Sequence, residues 1–142
     1  MNIYFDLDGT LNRFYDVDGW LDDLINERTR PYEIAKPALN MALLARYLHK
    51  AQAKGHRIGI ISWTSRGGSD LYNGAVALAK MVWLHKHLPS VEWDAIKIVA
   101  YGTNKRTACG DGILFDDEEG NRKAWGDGAF TPDEIIHVLK GI

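Results

Sequence analysis

An α/β fold, a parallel sheet with helices on its faces, is what this sequence predicts, and three observations carry it. Short buried-strand patterns alternate with amphipathic helical ones along the chain. Four apolar runs each stop at polar or glycine-rich residues. At 142 residues and 46% hydrophobic content, the chain is long enough for one domain to bury a core without disulfides.

Taken in order, the first strand is the apolar run Ile3, Tyr4, Phe5 in "MNIYFDLDGTL", closed by Asp6, Asp8 and Gly9. Residues 12–36 mix acids, aromatics and Pro31 without a sustained period, and read as an insertion holding one short helix near residues 20–26. From Pro37, the residues Leu39, Leu43, Leu44, Tyr47, Leu48 and Ala51 recur at helical spacing, with Gly55 placed to end the helix. "RIGIIS" at 57–62 is the second strand, and "SWTSRGGSD" the loop after it. The helical pattern returns over 70–88 through Leu71, Ala75, Leu78, Ala79, Val82 and Trp83, and Pro89 closes it. "AIKIVAYG" at 95–102 is a third strand, followed by a loop, and "GILFDD" at 112–117 a fourth. "DEEGNRKAW" reads as a solvated loop or helix start. A last helix opens at "TPDE", with Thr131 as N-cap, Pro132 in the first turn and Glu134 closing a capping box.

A formal net charge of −2 gives no polybasic footprint for nucleic acid or an anionic membrane. Cys109 is the only cysteine, which excludes an internal disulfide and any multi-cysteine zinc site. With no leader-like segment and no membrane-length apolar run, a cytoplasmic protein is the expectation.

Right-handed crossovers put the carboxyl ends of parallel strands on one rim, where such folds bind ligands. The first strand ends in Asp6 and Asp8, and the second in Ser62, with Thr64 and Ser65 just beyond. The third leads to Lys105 through "YGTNK", and the fourth ends in Asp116 and Asp117. Each has an ordinary reading as turn, cap or solvated side chain; together they make a phosphate site. Asp6 and Asp116 offer carboxylate oxygens to Mg²⁺, a hard cation that also takes a substrate phosphate. Asp6 then serves as nucleophile and Asp8 moves protons. The Ser62 hydroxyl and the Lys105 ammonium hold the transferring phosphoryl oxygens.

In order and spacing, "DLDGTL", the Ser after "IGII", the Lys of "GTNK" and the acids of "ILFDD" resemble the four motifs of the haloacid dehalogenase (HAD) superfamily. The resemblance implies a Rossmann-like three-layer α/β/α sandwich with a mainly parallel sheet and a minimal cap. It also implies Mg²⁺ dependence and phosphoryl transfer through an aspartyl phosphate. Mapped by motif, it makes Asp6 the nucleophile, Asp8 the acid and base, Ser62 and Lys105 the phosphate binders, and Asp116 a metal ligand with Asp117 beside it. By the same resemblance, the Asp8 backbone carbonyl would also touch the metal. Thr64 and Ser65 remain alternatives to Ser62, and Arg106 to Lys105.

The second carboxylate, Asp8, favours phosphate-ester hydrolysis over halide displacement, which needs no acid. The insertion is too short for a full cap domain, so the site is expected to be open, with a second subunit as one candidate cover. Trp63, Thr64 and Arg66 follow the second strand as candidate substrate contacts, and Phe14, Tyr15 and Trp63 as rings for stacking on a base. The layout resembles small phage-type and bacterial HAD proteins described as 5'-nucleotidase-like, which implies a nucleoside monophosphate as substrate. The alternatives are a phosphatase for nucleic-acid ends and a non-catalytic HAD-fold binding protein. The five histidines fall in no motif, and Cys109 has no paired histidine.

Overall fold

The computed structural model describes residues 1–142. Five strands form one all-parallel sheet in the order β3-β2-β1-β4-β5: β1 Asn2–Phe5, β2 Arg57–Trp63, β3 Ala95–Val99, β4 Ile113–Phe115 and β5 Ala129–Phe130. The helices are α1 Trp20–Ile25, α2 Arg30–Ile34, α3 Met41–Ala53, α4 Asp70–His87, α5 Lys105–Cys109, α6 Glu119–Trp125 and α7 Ile135–Lys140. The predicted α/β class is met.

Strand β1 is central because both its faces are apolar. Ile3 and Phe5 join the main core with Leu44 and Leu48 of α3, Trp83 and Leu84 of α4, and Ile135 and Leu139 of α7. Tyr4 faces the other way, with Ile61, Leu114 and Trp125 of α6. The chain runs outward from β1 through β2 to β3, then returns to β4 on the other side of β1. That reversal opens a crevice at the carboxyl end of β1, between β2 and β4. Phe5 sits level with Ile60 and Phe115, and the Asp6 N–H donates to the Phe115 carbonyl at 2.9 Å. The residues that follow β1 and β4 are thereby brought side by side.

Capping sets where three helices begin. Asn40, Ser69 and Asn104 accept hydrogen bonds from Leu43, Tyr72 and Thr107 N–H, each cap contributing about 1 kcal/mol. The Asn104 cap changes one expectation: β3 stops at Val99, and Lys105 opens a helix instead of lying in a loop. The Thr131–Glu134 capping box forms, though it opens a short 3₁₀ turn ahead of α7. Strand β5 and helix α2 carry no period long enough to be legible.

The largest departure concerns α4. Its buried side chains are Tyr72, Val76, Ala79, Lys80, Trp83 and Leu84, whereas Leu71, Leu78 and Val82 are exposed. The apolar period visible in the sequence runs mostly along the outer face. Residues 12–36 fold over the inner face: Phe14 is buried at 4.7 Å from the Tyr32 ring and joins Tyr72, Val76 and Ala79 of α4. Phe14 is therefore packing and not a stacking platform, and Trp20, 5.6 Å from it, packs in the same layer.

Candidate active site

The loop after β1 is shaped by two residues. Gly9 has φ +80°, and a Cβ there would collide with the Asp117 carboxylate and press on the Tyr15 ring. Asn12 is buried, and its Oδ1 accepts from the Gly9 and Phe14 N–H groups while its Nδ2 donates to Asp8 Oδ1 at 3.2 Å. The turn thus delivers both Asp6 and Asp8 to one cleft of about 360 Å³, at the carboxyl rim of the sheet.

Each of these carboxylates has its own lysine. Lys105 Nζ, nearly excluded from water, lies 3.0 Å from Asp6 Oδ1 and 2.7 Å from Asp116 Oδ2. Lys80, 1% exposed on α4, donates to Ser62 Oγ at 2.7 Å, to the Trp63 carbonyl at 2.6 Å and to Asp8 Oδ2 at 2.9 Å. All three of its N–H bonds are thereby used. Because a lysine only donates, Ser62 Oγ is the acceptor in that pair, which leaves the Ser62 O–H free to donate into the cleft.

Asp116 is completely buried and held on every side. Its Oδ1 accepts from Glu118 N–H at 2.9 Å, its Oδ2 from Asn121 at 3.1 Å as well as from Lys105, and its carbonyl from Arg122 at 3.0 Å. Thr10 bridges the acids, its hydroxyl within 3.3 Å of Asp6 Oδ2 and 3.2 Å of Asp117 Oδ1.

The electrostatics follow from this crowding. Burial pushes the Asp6 carboxyl above the usual range, against the pull of Lys105 and with the repulsion of Asp116 added. Burial, then the Asp6 charge, pushes Asp117 up to about 8. Burial alone would lower Lys105, but Asp6 and Asp116 outweigh it and hold the ammonium above its ordinary value. Burial and the Asp8, Asp117 and Asp6 charges raise the Tyr15 phenol too, so it faces the site as a neutral donor.

Carboxylate oxygens of Asp6, Asp116 and Asp117 lie within 4.8 Å of one another. With every group ionised, Asp6, Asp8, Asp116 and Asp117 against Lys80 and Lys105 leave two negative charges over. A hard divalent cation fits both the all-oxygen donor set and that imbalance.

Beyond the acids, the cleft walls are largely apolar. Tyr15, Leu21, Leu24 and Ile25 line one side, and Trp63, Tyr101 and Arg66 another. Trp63 is fixed by its Nε1 donating to the Thr103 carbonyl at 2.9 Å, with the Tyr101 ring 4.9 Å away and the Arg66 guanidinium 5.8 Å from Tyr101.

Neither a protein-family model nor a curated protein matches the sequence. Among solved structures, the chain is similar to D,D-heptose 1,7-bisphosphate phosphatase from Burkholderia thailandensis. The TM-score is 0.60 at 15% identity, over 99% of this chain and 96% of that one. It is also similar to the D,D-heptose bisphosphate phosphatase of B. bronchiseptica, solved with magnesium and phosphate. There the TM-score is 0.56 at 13% identity, with the same coverage. The fold is shared with these phosphatases. At such identities the likeness is one of fold, and it covers this chain from end to end.

The structure brings Asp6, Asp8, Ser62, Lys105, Trp63, Thr64, Ser65 and Arg66 to one cleft, with Asp116 directly behind Lys105 and Asp117 in the acid cluster. Arg106 points elsewhere, to Asp111 and the Trp125 carbonyl, so it does not stand in for Lys105. Cys109 and the histidines stay out of the cleft. Sequence reasoning missed Lys80, Thr10 and Asn12. Lys80 left one signal: it stands four residues after Val76 and three before Trp83, a cation inside an apolar helical series.

Proposed function

We propose that this chain is a Mg²⁺-dependent phosphomonoesterase of the HAD superfamily kind, with residues 1–142 as a single domain and residues 12–36 as a cap-like insertion. The observation that carries the reading is the paired arrangement at the rim, Asp6 with Lys105 and Asp116, and Asp8 with Lys80 and Ser62. Asp6 and Asp116 would hold the cation, with Asp117 at its edge and the Asp8 carbonyl as a further ligand. When bound, Mg²⁺ neutralises charge on a phosphate and orients it.

The chain's own groups do the rest. Asp6 attacks phosphorus and the bond to the leaving oxygen breaks, giving an acyl phosphate on Asp6. Asp8 in its protonated form passes that proton to the leaving oxygen. In the second half Asp8 takes a proton from water as the water oxygen attacks phosphorus, which frees phosphate and restores the Asp6 carboxylate. Lys105 and the Ser62 O–H hold the phosphoryl oxygens. Lys80 positions both Ser62 and Asp8 and itself transfers no proton.

The substrate is a small phosphorylated metabolite, and a nucleoside monophosphate is preferred. Aromatic rings among the lining residues, Tyr15, Trp63 and Tyr101, suit stacking on a base, which supports a leaving group that carries one. The resemblance in fold to heptose bisphosphate phosphatases supports a phosphorylated sugar as the second reading. A cleft of this volume suits a single metabolite more than a nucleic-acid strand. Phosphate release from nucleoside monophosphates, sugar phosphates and 5'-phosphorylated oligonucleotides, with Mg²⁺ and with EDTA, tests the reading. We expect Mg²⁺-dependent release with nucleoside monophosphates fastest. Fastest turnover of a sugar phosphate would select the second reading, and no release from any substrate would remove the enzyme assignment.

A further inference from the structure

The outer face of α4 carries an apolar surface that neither the core nor the cleft uses. Leu71, Leu78, Met81 and Val82 are 89%, 64%, 48% and 56% exposed, with Gly74 and Ala75 exposed between them. Leu71, Ala75, Leu78 and Val82 follow at steps of four, three and four, which on a helix is one continuous stripe. The opposite face of the same helix is turned to the core, so the rest of the chain leaves the stripe uncovered.

We propose that a second copy of this chain docks here, its α4 antiparallel to the first about a two-fold axis. Charge selects both the partner and the direction. Asp70 is exposed at the start of the helix, and His85 and Lys86 at its end. An antiparallel pair sets the Asp70 end of each copy beside the His85 and Lys86 end of the other, twice over, whereas a parallel pair sets like charges together at both ends. The helix macrodipoles favour the same direction. Shape agrees around the middle of the stripe, because small Gly74 and Ala75 precede Leu78 and bulkier Met81 and Val82 follow it, with Leu71 at the outer end. A two-fold axis there lays bulk over small residues on both sides of it, the self-complementarity an isologous interface requires.

The inference stands apart from the phosphatase reading, since α4 serves the cleft only through its opposite face. Sedimentation of the full chain across a concentration series tests it. We expect a dimer that Leu78→Glu converts to monomer with unchanged circular dichroism. Asp70→Lys and Lys86→Asp should each weaken the dimer by about 5- to 10-fold at low salt, and the two together should restore it. A chain monomeric throughout would overturn the proposal. So would a dimer indifferent to Leu78→Glu, or a charge swap that restores nothing.

Discussion

At the scale of single residues, the site consists of two carboxylates that look alike in "DLDGTL" and are treated differently by the fold. Asp6 is paired with Lys105 within the acid cluster, and Asp8 is fixed by Lys80 and Asn12 at the cleft. Removing the proposed nucleophile by Asp6→Asn should cost roughly 10³-fold or more in turnover with the fold intact. Lys80→Met should cost about 10²-fold, because it frees Ser62 and Asp8 from their fixed places. The distinguishing readout is the leaving group. If Lys80 positions the acid, the loss should be large for an alkyl phosphate and small for 4-nitrophenyl phosphate, whose leaving oxygen needs no proton. An equal loss on both would mean that Lys80 acts through Ser62 or the fold and not through the acid. Asp6, Asp8, Ser62, Lys105 and Asp116 were legible because each lies at or beyond the carboxyl end of a strand, where topology gathers side chains at one rim. Lys80 was not, because a helix interior gives a buried cation no local mark, and its partners lie 18 and 72 residues away in the chain.

Between single residues and the whole chain, residues 12–36 show how short elements are held. Helices α1 and α2 are too short to be stable alone and depend on Phe14, Tyr32 and α4 for their packing. Phe14→Ala should lower stability by about 3 kcal/mol, visible in thermal unfolding. A second tie is Asp23, buried between Arg30 at 2.7 Å and Arg28 at 3.4 Å, whose guanidinium hydrogen bonds hold its carboxyl below the usual range. A lowered folded value means that this stabilisation is complete above the unfolded value near 3.8 and is lost as pH falls through the lower folded one. Asp23→Asn should therefore destabilise the protein at pH 7, and the difference from the native chain should shrink in acid. A difference that grew in acid would reverse the sign of the argument. Long periodic elements such as α3 were legible, while α2 and β5 were not, because at five and two residues neither repeats its period often enough for sequence to display it.

For the whole molecule, the parallel sheet does two things at once. It gathers the ends of β1, β2 and β4 at one rim, and it brings the carboxylates of Asp6, Asp116 and Asp117 together there. The face of α4 explains why the apolar pattern in sequence pointed outward: a helix with two apolar faces serves the core with one and leaves the other to a partner. A single amino-acid period cannot say which face is which, since both obey the same spacing. The central claim is that phosphate passes through Asp6. Acid quench during Mg²⁺-dependent turnover, followed by mass spectrometry of the peptide bearing Asp6, tests it most directly. A phosphoryl group on Asp6, absent from the Asp6→Asn protein, is the expected result; steady turnover with that carboxylate never phosphorylated, or with Asp6→Asn fully active, would contradict it.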